Sequence, residues 1–383
     1  MERQLNLPKI TTAQVYALNS SAKQYSDRIE LGRGDPDFDT PNYIIEGVKE
    51  FGNGDELYDS PVEGILPLRQ AIAKRVKTVN HIDVDPETEV VVTNGGQEAL
   101  FLMINTLLKE GDEILVPDPN YNSYRDSIKF ARGVRVSIPT KFEDNFKVDL
   151  DLVREMVTDK TKVLLMVSPN NPAGSIMKKE TIEAMIQIAV ENDLLIIADD
   201  IYDRFVYDGL KHISVASYEK ARKITVTLNA CSKQFAMCGW RVGWIAGPKD
   251  LMAAIKNYKA IMTGPVPIIG QIGALCALNG DSDAVSNMYD TFVARRKTVM
   301  EGLDKIGIPY GVPEGGQFIF ASIEKFGKDS YTFAKEILEN CHVLIYPGGA
   351  FGAQSDKYIR ITFLQPEDKL REALDRMHRY LNR

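Results

Sequence analysis

The chain has 383 residues, 44% hydrophobic and 26% charged, with 46 basic against 53 acidic side chains and a net charge of −7. That length admits two lobes around a deep site, and the acidic balance, with no dense basic stripe interleaved by aromatics, argues against nucleic acid and against an anionic membrane surface. The N-terminus lacks the apolar core of a signal peptide, and no run approaches the roughly 18 apolar residues of a transmembrane helix, so a cytoplasmic protein is expected.

The N-terminal ~40 residues show no sheet pattern of their own. Next comes an amphipathic helix carrying Ile65, Leu68, Ile72, Val76 and Val79 on one face. From about residue 89, seven short apolar runs alternate with helical patterns: EVVVTN, DEILVPD, VRVSIPT, TKVLLMVSPN, DLLIIADD, KITVTLNA and RVGWIAGP. Most are apolar on both faces, which is how a mostly parallel sheet covered by helices reads. The stretch 178–192 is one of the crossover helices. After residue 280 a long amphipathic helix (Val285, Tyr289, Phe292, Val299, Leu303, Ile306) leads into a second region. Three short strands are expected there, in GQFIFASI, VLIYPGG and YIRITFL, with helices near 329–340 and 367–382. The expected architecture is α/β: a mostly parallel seven-stranded sheet flanked by helices in a large domain, 41–285, and a smaller α+β domain from 1–40 and 286–383.

Four cysteines (Cys231, Cys238, Cys276, Cys341) and four histidines (His81, His212, His342, His378) show no metal-ligand or disulfide spacing. They read as reduced fillers and unrelated imidazoles, and no metal is expected.

Ligands of open α/β sheets lie at the carboxyl ends of the strands. One run ends in Asn94-Gly95-Gly96-Gln97 at the start of a helix, a place suited to an anion, though also to a plain capped turn. Others end in Pro169-Asn170-Asn171-Pro172-Ala173-Gly174, in Asp199-Asp200-Ile201-Tyr202, and in Ser232-Lys233. Alone, Asp199 could be a helix cap and Lys233 a surface lysine. Their order at successive strand ends closely resembles the class I aminotransferases, the aspartate aminotransferase superfamily of pyridoxal-phosphate enzymes with fold type I. The likeness runs from LGRGDPDFDTP to YIRITF.

The resemblance implies pyridoxal 5′-phosphate as cofactor and a role for each matching residue. Lys233 is the Schiff-base lysine, Asp199 the partner of the pyridine nitrogen, and Tyr202 and Asn171 the hydrogen-bond partners of the phenolic oxygen. Tyr121 stacks on the ring, Gly95, Gly96 and Gln97 form the phosphate turn, and Arg241 holds the phosphate. Gly34 and Arg360, with Asn171 and Tyr121, take the substrate. Tyr58 resembles the tyrosine that reaches a neighbouring subunit's phosphate, with a spacing to Gly64 one residue longer than the usual pattern. Ala230 stands where the family usually has a phosphate-binding serine, and Ser232 is the available substitute. Gln97 stands where some aspartate-using members carry a lysine, which weakens the case for aspartate as donor.

The reaction so implied is a ping-pong amino-group transfer between an L-amino acid and a 2-oxo acid, 2-oxoglutarate by analogy, in a homodimer with shared sites. A β-lyase, decarboxylase or oxidase on the same scaffold, or a silent ligand-sensing module, stays open. So does whether Tyr16, Tyr121, Tyr124 and Tyr258 line an aromatic-tolerant pocket or only pack.

Overall fold

The computed structural model describes residues 13–52, 60–280 and 283–382. In chain order its strands are β1 (Ile29–Glu30), β2 (Val90–Thr93), β3 (Glu113–Asp118), β4 (Val134–Pro139), β5 (Thr161–Val167), β6 (Leu195–Asp199), β7 (Thr225–Ala230), β8 (Gly243–Ala246), β9 (Phe318–Ser322), β10 (Val343–Leu344), β11 (Tyr346–Pro347) and β12 (Tyr358–Thr362). The seven runs become β2 to β8 and form one sheet in the order β2-β8-β7-β6-β5-β3-β4. Only β8 runs against its neighbours. Strands β2, β6 and β7 are wholly or almost wholly buried along their length, as both-sided apolar runs require.

Helices cover both faces. Leu100, Met103, Val163 and Ile197 pack in one layer and Leu164, Ile182, Met185 and Ile196 in the other. The helix Leu66–Asn80 buries Leu68, Ile72 and Val76, the stripe expected of it.

The long helix Asp283–Ile306 connects two cores. Its first turn packs Val285 with the large sheet's cluster, whereas Met288, Phe292, Val299, Leu303 and Ile306 join a second core with β9, β12 and the helix Ser330–Cys341. There β11, β12 and β9 form an antiparallel sheet.

Two expectations are corrected here. The run VLIYPGG is two strands, not one: β10 pairs with β1, and β11 pairs with β12. The N-terminal segment does enter a sheet, since β1 lies parallel to β10. A two-residue strand is too short to show a period of two. Its order comes from its partners, with Leu31 N–H donating to Leu344 O at 2.8 Å and Thr362 N–H to Leu31 O at 2.7 Å. This clamp delivers Gly32, Gly34 and Asp35 to the mouth of the large sheet.

Candidate active site

The carboxyl ends of β2, β5, β6 and β7 surround a cavity of about 550 Å³. Of the residues singled out in the sequence, Gly34, Gly96, Gln97, Tyr121, Asn171, Asp199, Tyr202, Lys233, Arg241 and Arg360 line it. Gly95 is buried at the first position of the helix Gly95–Leu107 beside it. Tyr58 lies outside the described residues.

Lys233 reaches the cavity because β7 stops at Ala230 and the chain turns into the single helical turn Cys231–Gln234. Its Nζ donates to Gly34 O at 2.7 Å and lies 3.8 Å from Asp35 Oδ1. The same turn carries Ser232, the substitute for the phosphate-binding serine. Strand alternation would turn its side chain away, but the helical turn puts Ser232 on the cavity wall. Beyond it, Ala236 (φ 51°) and Arg241 (φ 56°) both occupy the left-handed region that most side chains avoid. These bends bring Arg241 back to the start of the helix Gly95–Leu107, where Nη2 donates to Asn94 O at 3.3 Å. Gly95 has φ +77°, and a Cβ there would stand 2.6 Å from Arg241 Nη2, so a side chain would both strain the backbone and displace the guanidinium.

Asp199 closes β6 inside the protein. Tyr124 donates to its Oδ2 at 2.6 Å and the Ile201 N–H to its Oδ1 at 3.1 Å. Burial nevertheless pushes the carboxyl pKa up to about 6, because these two hydrogen bonds only partly offset the loss of water. No cation pairs with Asp199 among the described residues. Asp200, the next residue, points the other way. It takes the Ser214 hydroxyl and stands 3.3 Å from His212 Nε2, away from the cavity.

Arg360 is 5% exposed. Its Nη1 donates to Asn171 Oδ1 at 3.0 Å and its Nη2 to Gly32 O at 2.7 Å, while Nε has no partner. It sits over the rings of Phe351, Tyr346 and Phe318, and burial pulls the guanidinium below its ordinary pKa. A buried guanidinium without a carboxylate among the described residues is a receptor for an incoming anion. Asn171 is held for this pairing by a loop closed on itself, with Asn170 N–H to Ser175 O at 2.9 Å and Gly174 N–H to Asn170 O at 2.8 Å.

Tyr202 is buried with its ring edge-on to Phe318, and burial raises its phenol pKa against the pull of Arg360. Tyr121 is half-buried at the cavity and donates to Gln97 Oε1 at 3.2 Å.

Of the four tyrosines left open, Tyr121 and Tyr124 line the cavity. Tyr16 and Tyr258 do not, being 66% and 38% exposed elsewhere. Tyr124, left open in the sequence, proves to be a site residue, while Asp35 and Cys238 were given no role there. Tyr124 stands in the first turn of the helix Asn122–Phe130, with its ring edge-on to that of Tyr121 at the helix N-cap, 5.9 Å between centroids. Asp35 left no signal in the sequence. Its carboxyl feels burial as a raising effect, yet the charge of Lys233 and contacts with Cys238 and Arg33 hold it below the usual range. Cys238, read as a filler, lies 4.0 Å from Lys233 Nζ and lines the cavity, because the bend after Phe235 folds it inward.

These residues fit pyridoxal phosphate. The buried carboxylate of Asp199 without a cation suits a protonated ring nitrogen, and Arg241 with the glycine turn at a helix N-terminus suits a phosphate. The comparisons agree. The model of the family described as aminotransferase class I and II matches residues 26–377, and the chain belongs to that family. It is a pyridoxal-phosphate-dependent transaminase. It is 38% identical over 380 residues to an aspartate aminotransferase of Pyrococcus abyssi, covering 98% of this chain and 97% of the relative. It is 37% identical to aromatic-amino-acid aminotransferase 2 of Thermococcus litoralis, with the same coverages. Among solved structures, a single mutant of Thermus thermophilus aspartate aminotransferase superposes with a TM-score of 0.92 at 33% identity, covering 99% of each chain.

Proposed function

We propose that this transaminase moves the amino group of an L-amino acid to 2-oxoglutarate by a ping-pong cycle, in a cytoplasmic homodimer whose Tyr58 reaches the neighbouring subunit's phosphate. The observation that carries the reading is the convergence on one cavity of Lys233 Nζ, the carboxylate of Asp199 and the guanidinium of Arg360, the last two without an opposite charge among the described residues. The separate cores around the large sheet and the β9–β12 region support a division into 41–285 and 1–40 with 286–383. Four free thiols suit a reducing compartment, and twofold pairing is the commonest assembly.

In this reading Arg241, the Gly95–Gln97 turn and Ser232 hold the phosphate, Asp199 the ring nitrogen, Tyr202 and Asn171 the phenolic oxygen, and Tyr121 the ring face. When bound, pyridoxal phosphate supplies an aldehyde that condenses with amines and a ring that accepts the electrons left by the broken Cα–H bond. Arg360, steadied by Asn171 and Gly32, grips the donor's carboxylate and so selects which Cα bond faces Lys233. Lys233 Nζ takes the Cα proton and holds it beside Gly34 O and Asp35. The cationic side chains on the cavity wall, Lys233, Arg241 and Arg360, all have roles in this reading, and Gln97 rather than a cation stands beside Tyr121, which weakens the case for aspartate as the preferred donor.

Borohydride reduction of the holoenzyme followed by peptide mapping is expected to place the reduced adduct on Lys233. Glutamate added in the absence of an acceptor is expected to release one equivalent of 2-oxoglutarate per site. An adduct elsewhere removes the assignment of Lys233, and free ammonia with no stored amino group indicates a lyase instead.

A further inference from the structure

Glu98 and Lys259 are ionisable, buried and unused by the reaction. Glu98 lies in the first turn of the helix Gly95–Leu107, and Lys259 near the end of the helix Lys249–Met262. The Lys259 side chain is 0% exposed, and its Nζ donates to Glu98 Oε2 at 3.1 Å and to Thr263 Oγ1 at 3.3 Å. Thr263 in turn donates to Glu98 Oε1. The same carboxylate accepts the backbone N–H of Asn94 at 2.5 Å and its Nδ2 at 3.1 Å. The carbonyl of Asn94 accepts Arg241 Nη2. An unbroken line of contacts therefore runs from Lys259 through Glu98 and Asn94 to Arg241, and the glycines of the phosphate turn follow Asn94 directly.

Burying a lysine completely is unfavourable unless its charge is matched, and an apolar side chain would fill the same space without that penalty. A carboxylate one helical turn from an anion site repels the anion unless it is neutralised. Burial works to raise the Glu98 pKa, but Thr263, Asn94 and Lys259 together hold it below the usual range, so the charge is present.

We propose that Lys259 and Glu98 are positioning residues for the cofactor's phosphate: the pair fixes Asn94, and through it Arg241 and the glycine turn, while Lys259 cancels the charge that would otherwise oppose the phosphate. The inference rests on the assignment of that turn to the phosphate made above. It separates from a general role in folding because only the phosphate end of the cofactor is affected.

The test is equilibrium titration of the apoenzyme with pyridoxal 5′-phosphate and, separately, with pyridoxal, which lacks the phosphate. Lys259→Met is expected to raise the dissociation constant for the phosphate ester about tenfold while leaving pyridoxal unchanged, the size of coupling typical within one polar network. Adding Glu98→Gln to Lys259→Met is expected to recover most of the loss, since the unmatched charge is then gone. If Lys259→Met does not fold, Thr263→Val, which removes the hydroxyl that donates to Glu98 and accepts from Lys259 while keeping the ion pair, is expected to weaken the ester about threefold and pyridoxal not at all. Equal weakening of both ligands, or none for the ester, overturns the proposal. Failure of the unmodified protein to condense with pyridoxal at Lys233 would instead overturn the functional reading.

Discussion

The hydroxyl of Tyr124 lies 2.6 Å from Oδ2 of Asp199, and both residues are buried at the cavity wall. Only an ionised Asp199 can accept this bond and still face a protonated ring nitrogen, so Tyr124 favours the charged form that the cofactor needs. Tyr124→Phe is expected to raise the Asp199 pKa further, to weaken cofactor binding, and to lower kcat by about tenfold or more, since hydrogen bonds to charged groups contribute ~1.5–3 kcal/mol. The pH dependence of the cofactor's absorption band reports it. An unaltered profile would show that the bond has no electrostatic part.

Asp199 sets function against stability in the cofactor-free protein. Its folded pKa of about 6 lies above the ordinary 3.8 of an aspartate, so the folded state binds the extra proton between those values. Its contribution is therefore most favourable below pH 3.8 and is lost as pH rises through about 6. The penalty reaches roughly 3 kcal/mol at neutral pH, on an order-of-magnitude scale. Asp199→Asn is expected to make the apoprotein more stable than the parent by up to that amount at pH 7, with the difference shrinking toward pH 4. Its turnover is expected to fall by orders of magnitude. Urea unfolding of both apoproteins across that pH range checks the sign.

Arg360→Leu is expected to lower kcat/KM about a hundredfold for every amino acid alike, because a buried charge-assisted grip on a carboxylate is worth several kcal/mol. Arg360→Lys is expected to recover little, since an ammonium cannot copy the planar fork that reaches Asn171 and Gly32 together. The stability of the apoprotein is expected to change little with Leu at 360, because relief of a buried guanidinium without an acidic partner among the described residues offsets the hydrogen bonds lost to Asn171 and Gly32. Steady-state kinetics over a panel of donors decides; a loss confined to one side chain would mean that Arg360 reads that side chain.

Gln97 presents an amide to the cavity where a cation would serve a second carboxylate. Gln97→Lys is expected to raise kcat/KM for aspartate relative to apolar and aromatic donors by about tenfold. Unchanged discrimination would show that the donor's side chain is read elsewhere in the cavity.

The amino-acid sequence by itself determined the seven strands of the large sheet, the long helix from Asp283, and the site residues that stand where strands stop, such as Asp199 and Lys233. Those signals are local: burial on both faces leaves an unbroken apolar run, and the residue that ends it carries the chemistry. Tertiary structure alone decided what comes from far along the chain. It brought β1 against β10, and with β1 came Asp35 to face Lys233 from 198 positions away. It folded Cys238 into the cavity and joined Lys259 to Glu98 across 161 positions. None of these contacts leaves a period or a spacing in the sequence, because each exists only once packing has chosen which surfaces meet.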